Sequence, residues 1–365
     1  MVSNMRSRKS GRRRSGVRAS WMLFGWLLVL AALCRPALGA GQVREVLPAG
    51  LDAAIGRGLT FLQKQQKRDG SFDAVGPANA VSGLAILAFL SAGHTPDVGK
   101  YGLTVRSAVD YLVRQQPEDG YYGKDGGRMY SHAIVTVALA EVYGTETELR
   151  QREQVRAALE KALKVICAAQ DVKKEADAAG GWRYEPSSAD SDLSVSGWCM
   201  LALRACQNAG LIVPKQRVDR SAGYTLRCFR PEQEGFAYMV GGEATASMTG
   251  VAVLNLYLLD ALDREEVAAG VKFLSRRPIA ADAPYYSYSV YYATQAAFQA
   301  GGSAWPIVWK RTCDQLLPAQ RQDDGSWKAT RDEPGADSKA GRFYSTAMAC
   351  LTLSAPLRVL PVYQR

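Results

Sequence analysis

The sequence predicts an all-α fold, an α/α toroid in which six helical hairpins form an inner and an outer ring. Three observations predict it. A glutamine–glycine–aromatic turn recurs as Gln66…Gly70-Ser71-Phe72, Gln116…Gly120-Tyr121-Tyr122 and Gln320…Gly325-Ser326-Trp327. Looser copies are Gly180-Gly181-Trp182, Gly235-Phe236-Ala237-Tyr238 and the glycine-less Pro284-Tyr285-Tyr286-Ser287-Tyr288. Turns recurring about every 40–60 residues imply a repeat architecture. The stretch before each turn is amphipathic, and the stretch after it is apolar all round.

Residues 1–40 precede the repeats and read as a signal peptide or, if retained, an N-terminal membrane segment. Arg6, Arg8, Lys9, Arg12, Arg13, Arg14 and Arg18 form a basic head without acids. Trp21 to Cys34 is apolar but short for a membrane span. Ala37-Leu38-Gly39 supplies small residues of the kind a signal peptidase reads. The chain is therefore expected to be exported, periplasmic or secreted, or tethered to a membrane by this segment. The whole chain carries a net charge of +10. The leader holds so many of the basic residues, Arg35 included, that the rest is nearly neutral, and no basic stripe points to nucleic acid.

Residues 41–365 show no Pro/Gly/Ser-rich linker, so a single domain of six repeats is expected. Leu51, Ile55, Leu59 and Leu62 fall at helical spacing in the first repeat. Val155, Ala158, Leu159, Ala162, Leu163 and Ile166 do so in the third, and Val267, Val271 and Leu274 in the fifth. The segments after the turns, 80–92, 133–143, 193–205, 248–262 and 345–353, are apolar almost all round. A helix of that kind is buried on every side. Six pairs of this composition are satisfied by a ring, with amphipathic helices outside and apolar helices around a central cavity. An open solenoid would need polar end repeats, and the sixth repeat is as apolar as the others. The glycines permit the chain to leave a helix, the aromatic lies over the junction, and the glutamine bonds free backbone groups at a helix end.

Cys167, Cys199, Cys206, Cys228, Cys313 and Cys350 lie in apolar helical contexts without Cys-x-x-Cys spacing and read as buried thiols.

These turns resemble the QW repeats of the prenyltransferase and squalene–hopene cyclase superfamily over most of residues 51–354. The resemblance implies an α/α barrel whose active centre lies where the inner helices begin; known cyclases of this type use two such barrels, and this chain has length for one. It directs attention to Asn79, Tyr130, His132, Asp190, Asp192, Thr245, Tyr288, Tyr291, Arg342 and Tyr344. Family cyclases that protonate an alkene carry an Asp-x-Asp-Asp-Thr run; the nearest segment here, Asp190-Ser191-Asp192-Leu193-Ser194, is incomplete. Family prenyltransferases hold zinc through a His in Phe-Tyr-His-Thr-x-x-x-Cys; here Phe343-Tyr344-Ser345-Thr346-Ala347-Met348-Ala349-Cys350 has serine at that place. No zinc and no other cofactor is expected.

The candidate catalytic residues are Asp190, Asp192 and His132. The aspartates are either a carboxylate pair, in which one raises the pKa of the other, or N-caps of the helix at 193–205. His132 is either a general acid–base or a hydrogen-bonded core residue. Tyr130, Tyr288, Tyr291, Arg342 and Tyr344 are expected to line the cavity, where aromatic faces favour cations and Arg342 with Lys339 can hold an anion. Three functional classes follow. The first is a binding toroid for an apolar, isoprenoid-like ligand or a partner, without a complete known catalytic motif. The second is a cyclase-like enzyme with an altered acid. The third is a carbohydrate-active barrel using Asp190 and Asp192, although two acids two residues apart sit too close for inversion.

Overall fold

The computed structural model describes residues 47–261, 263–329 and 341–364. The leader expected over residues 1–40, and Lys339, lie outside the described residues. From Pro48 onward the chain is one compact unit.

Among the described residues, six hairpins follow one another. The outer helices are α1 (Leu51–Lys64), α3 (Gly102–Gln115), α5 (Leu149–Asp171), α7 (Lys215–Arg227), α9 (Glu265–Arg276) and α11 (Ala304–Ala319). The inner helices are α2 (Ala78–Ser91), α4 (Arg128–Val142), α6 (Leu193–Asn208), α8 (Ala246–Leu258), α10 (Tyr286–Ala300) and α12 (Arg342–Leu353). Each inner helix packs on the next, and α12 packs on α2, so the ring closes. On the outside, α1 packs on α12. The composition explains the layering. Every residue of α2 after Ala78 is buried, whereas α1 buries one stripe, Leu51, Ala54, Ile55, Leu59 and Leu62 among it.

Gly70, Gly120, Gly181, Gly235 and Gly325 all lie between an outer and an inner helix. In the fourth hairpin the turn is a small antiparallel pair, β1 (Phe229–Arg230) with β2 (Gly235–Phe236), in which Phe229 faces Phe236.

The turn glutamines do more than end their own helix. Gln66 donates to the carbonyl of Thr104 in α3 (2.8 Å), and Gln116 to that of Ala158 in α5 (2.8 Å). Gln320 donates to the carbonyl of Ala54 in α1 (2.8 Å), which joins the last hairpin to the first. Gln170, ten residues before Gly180, does the same for the third hairpin, bonding Gly180 O and Arg217 O of α7 at 3.0 Å each. The glycine is required because this strap crosses the neighbour closely. Gly70 has φ +92°, and a Cβ there would meet Ser107 O of α3 at 2.1 Å. The aromatic closes the junction from inside: Trp182 Nε1 donates to Ile166 O (2.8 Å) and Trp327 Nε1 to Leu316 O (2.7 Å).

The chain ends as a strap across the C-terminal ends of the inner helices. Asn208 donates to Pro361 O (2.9 Å) and Gln299 to Tyr363 O (2.8 Å). Val362 N donates to both oxygens of Glu141 near the end of α4, at 3.1 and 3.2 Å. All six cysteines named above are thiols, and all but Cys167 are buried.

Candidate functional site

The mouth at the N-terminal ends of the inner helices carries a polar and aromatic cluster centred on Asp192. Asp192 is the N-cap of α6. Its extended backbone lets Oδ1 accept from Val195 N at 2.8 Å, which satisfies one of the helix's unpaired donors. Its Oδ2 accepts from Arg183 Nη1 at 3.1 Å. The same guanidinium reaches Asp190 through Nε (3.2 Å) and Tyr238 Oη through Nη1 (3.0 Å), and lies over the ring of Tyr184 at 4.5 Å. Tyr184 and Tyr238 share a hydroxyl hydrogen bond of 2.7 Å.

Burial pushes the Asp192 carboxyl up to about 6, against the opposing pull of the Val195 N–H and the Arg183 charge. At neutral pH it is mostly ionised. The two aspartates thus differ: Asp192 is fully buried, whereas the Asp190 side chain is 53% exposed and its one described ion pair is with Arg183.

Beside this cluster a chain of hydroxyls crosses the ring. Tyr130 of α4 donates to Ser194 of α6 (2.8 Å), which bonds Tyr288 of α10 (2.8 Å). Deeper, Trp198 of α6 meets the ring of Tyr292 edge-on at 6.0 Å, and Tyr292 contacts Tyr288 and Tyr291 at 4.7 and 4.9 Å. Since α6 and α10 are not neighbours in the ring, these contacts run through its middle. The expected open central cavity is therefore replaced here by side chains along the axis. Burial raises the hydroxyl pKa of Tyr130, Tyr288 and Tyr292 well above the ordinary phenol value, so they remain neutral phenols.

The other expected site residues are dispersed. His132 is not part of the mouth cluster. Its ring lies on another face of α4, where Nδ1 accepts from Tyr122 N (3.3 Å) and Nε2 donates to Ala162 O of α5 (3.0 Å). Both nitrogens are occupied, and burial pushes its pKa down to about 4, so it is a neutral strut between hairpins. Tyr291 lies towards the far end and bonds the hydroxyl of Tyr363 in the C-terminal strap. Arg342 braces its own turn through Ser326 Oγ and Asp324 Oδ2, both at 2.9 Å. Tyr344 is half-buried at the start of α12. Asn79 ties α2 to the second turn through Tyr122 O (2.9 Å), and Thr245 caps α8 through Met248 N (3.2 Å).

A cavity of about 450 Å³ does exist, but off the axis, between α10, α11 and α12; its wall includes Val290, Leu316, Trp327 and Ala349. None of the residues expected to line a cavity belongs to it, although Ser287 and Ser345, next in sequence to Tyr288 and Tyr344, do. Among the described residues, no group of three His, Cys, Asp or Glu side chains is placed to hold a metal, and no helix is long and apolar enough to cross a membrane.

Sequence reasoning missed Arg183, Tyr184 and the role of Tyr238. The available signal was position: Arg183-Tyr184 directly follows Gly180-Gly181-Trp182, as Tyr238 follows Gly235-Phe236-Ala237.

Comparison with known proteins agrees with this architecture. No family model matches the chain. Over 112 residues the chain is 30% identical to lanosterol synthase of Mus musculus, a stretch covering 30% of this chain and 14% of that protein. The chain thus matches a small part of that relative's length. The α-1,6-mannanase GH76A from Salegentibacter sp. HEL1_6 superposes over 85% of this chain and 99% of its own with a TM-score of 0.63, at 8% identity. The type II terpene cyclase MstE from Scytonema superposes over 84% of this chain and 98% of its own with a TM-score of 0.56, at 14% identity. At such identities the likeness is one of fold. The chain is an all-α toroid, and the cyclase and the mannanase are both similar to it in fold.

Proposed function

We propose that this protein is an exported binding toroid for an apolar, isoprenoid-like small molecule, and that it does not cyclise its ligand. The observation that carries this reading is the state of Asp192. Both its oxygens already accept hydrogen bonds, from Val195 N and Arg183. An alkene is a very weak base, and a carboxylate held by a guanidinium and a helix N-terminus is poorly suited to protonate it. The packed axis beside it leaves little room for a polycyclic product. An apolar ligand is supported by analogy: the neighbouring fold of MstE, with a TM-score of 0.55, holds geranylgeranyl dihydroxybenzoate as substrate in one of its single-residue variants. Export is supported by the basic head and apolar stretch of residues 1–40, which would also serve as a tether if retained.

The test is to incubate purified protein with farnesol, geranylgeraniol and squalene, following binding by calorimetry and products by mass spectrometry. Saturable binding with unchanged ligand is expected. Cyclised product that disappears in Asp192→Asn would overturn the reading in favour of an enzyme. One feature favours that second reading: the buried carboxyl of Asp192 has a pKa of about 6, and so is partly protonated in mild acid. An α-1,6-mannan incubation belongs in the same experiment; release of mannose oligomers would place the chain with carbohydrate-active barrels instead, with Asp190 and Asp192 as the acids.

A further inference from the structure

We infer that the ligand site of this toroid is the off-axis cavity between the fifth and sixth hairpins, and that it takes a neutral, chain-like molecule of about farnesol size. This rests on the preceding reading that the protein binds an apolar small molecule, and assigns that function a place outside the ring's centre.

The cavity has a cause in the sequence. In the third and sixth hairpins a turn indole is anchored to the outer helix, Trp182 by its bond to Ile166 O and Trp327 by its bond to Leu316 O. The fifth hairpin has no glycine–aromatic turn. Its approach to α10 is Pro284-Tyr285-Tyr286; Tyr285 is 62% exposed, and Tyr286 turns to the sixth hairpin, donating to Gln315 Oε1 at 2.9 Å. What remains is the 450 Å³ space between α10, α11 and α12, with a small satellite of about 30 Å³ between α9, α10 and α11. Val290 and Gln315 border both.

The chemistry of the wall selects the ligand. Val290, Leu316, Ala319 and Ala349 are aliphatic, and Trp327 and Tyr286 add aromatic faces. Gln315 brings no unmet demand: its amide nitrogen donates to Ile279 O (3.0 Å) and its oxygen accepts from Tyr286. The charged lining residues, Asp282 and Lys328, are exposed and of opposite sign, so they favour neither an anion nor a cation. An apolar body with one hydroxyl towards these residues fits. Small-molecule sites run from roughly 300 to 1,000 Å³. At about 30 Å³ per water-sized group, this one holds about fifteen such groups.

The experiment measures farnesol binding to the full protein and to three variants. Ala349→Leu and Ala319→Leu add bulk from α12 and α11 into the cavity, and Asp192→Asn alters the mouth. Cavity-filling variants are expected to bind at least ten-fold more weakly while melting no lower than wild type, and Asp192→Asn to bind within two-fold of wild type. A photoreactive farnesol should label a peptide containing Val290, Trp327 or Ala349. If both filled variants bind as wild type does, or if only Asp192→Asn loses affinity, the cavity assignment fails and the binding reading stands. If wild type does not bind farnesol at all, both fail. If the filled variants melt well below wild type, the space is already occupied by protein and the assignment is overturned.

Discussion

Replacing Gln320 with alanine should weaken the ring at the junction between its last and first hairpins. Gln320 is buried; its amide nitrogen donates to Ala54 O and Gly325 O, both at 2.8 Å, and its oxygen accepts from Arg57. Three hydrogen bonds disappear together. Each contributes about 1 kcal/mol, and a buried carbonyl left without its donor costs about 1–3 kcal/mol. Ala54 O keeps its intrahelical bond, which places the total near the lower end, about 3 kcal/mol. With an unfolding entropy of about 2.1 cal/mol/K per residue, roughly 300 folded residues give a Tm lowered by about 5 °C. The matched control is Gln66→Ala, whose half-exposed side chain makes bonds of 3.3 and 2.8 Å at an ordinary junction. It should cost about half as much. Gln320→Glu keeps the shape and can pair with Arg57, yet cannot donate to the two carbonyls, so it should recover little stability. Urea denaturation of the three variants reads these differences. A Gln320→Ala protein within about 0.5 kcal/mol of wild type, or a Gln320→Glu protein equal to it, would refute the claim that this side chain closes the ring.

Gly70→Ala should cost more than Gly76→Ala in the same denaturation assay, because its Cβ would meet Ser107 O at 2.1 Å whereas Gly76, also at positive φ, has open space apart from Val81 at 3.8 Å. His132 has a folded pKa of about 4, below its usual value, so its contribution is complete above pH ~6.5 and is lost as pH falls towards 4. His132→Gln should flatten that acid limb of stability against pH. Glu141 is shifted the other way, up to about 8 by burial, so its contribution is present at low pH and is lost as pH rises from about 4.5 through 8. Glu141→Gln should remove the alkaline loss, and amide exchange at Val362 should become independent of pH relative to its neighbours.

The layering was legible because periodicity reports burial directly. Segments such as Ala80 to Ala92 are apolar on every side, and they are inner helices. The turns were legible as connectors, but the partner of each glutamine was not. Nothing in Gln66…Gly70 says that the amide will reach Thr104, since that contact depends on how hairpins stack. Gln170 escaped notice because ten residues, not four, separate it from its glycine. The axis was the largest failure of inference. A pattern can mark Trp198 and Tyr292 as buried, but it cannot say that they meet each other across the ring instead of lining a space. His132 was misplaced for a related reason: its nearness to the start of α4 gives height along the axis, whereas the facing depends on helical phase. Two residues from Tyr130 is about 200° around the helix, and that turns it outwards towards Ala162.

The pairing of Arg183 with Asp192 offers a sharper test of the mouth than removing the acid. Asp192→Asn retains a good N-cap and should change stability by no more than about 1 kcal/mol. Arg183→Met is different, because it leaves a fully buried carboxylate without its countercharge. Breaking one side of such a pair costs about 3–5 kcal/mol when the remaining group stays charged. The carboxyl can escape part of that cost by binding a proton. Its pKa, already raised to about 6 by burial, should then rise further. The sign follows from the raised value: the folded state binds the proton more tightly, so stability falls as pH rises from about 4, levelling near pH 6 in wild type but continuing to fall beyond it in Arg183→Met, which should match wild type only at about pH 4. Adding Asp192→Asn to Arg183→Met should restore stability at about pH 7.5 and remove the slope, a coupling that a double-mutant cycle measures. If Arg183→Met were equally stable at about pH 4.5 and about pH 7.5, Asp192 would not be held as a carboxylate by this guanidinium. Asp192 would then be free to serve as an acid.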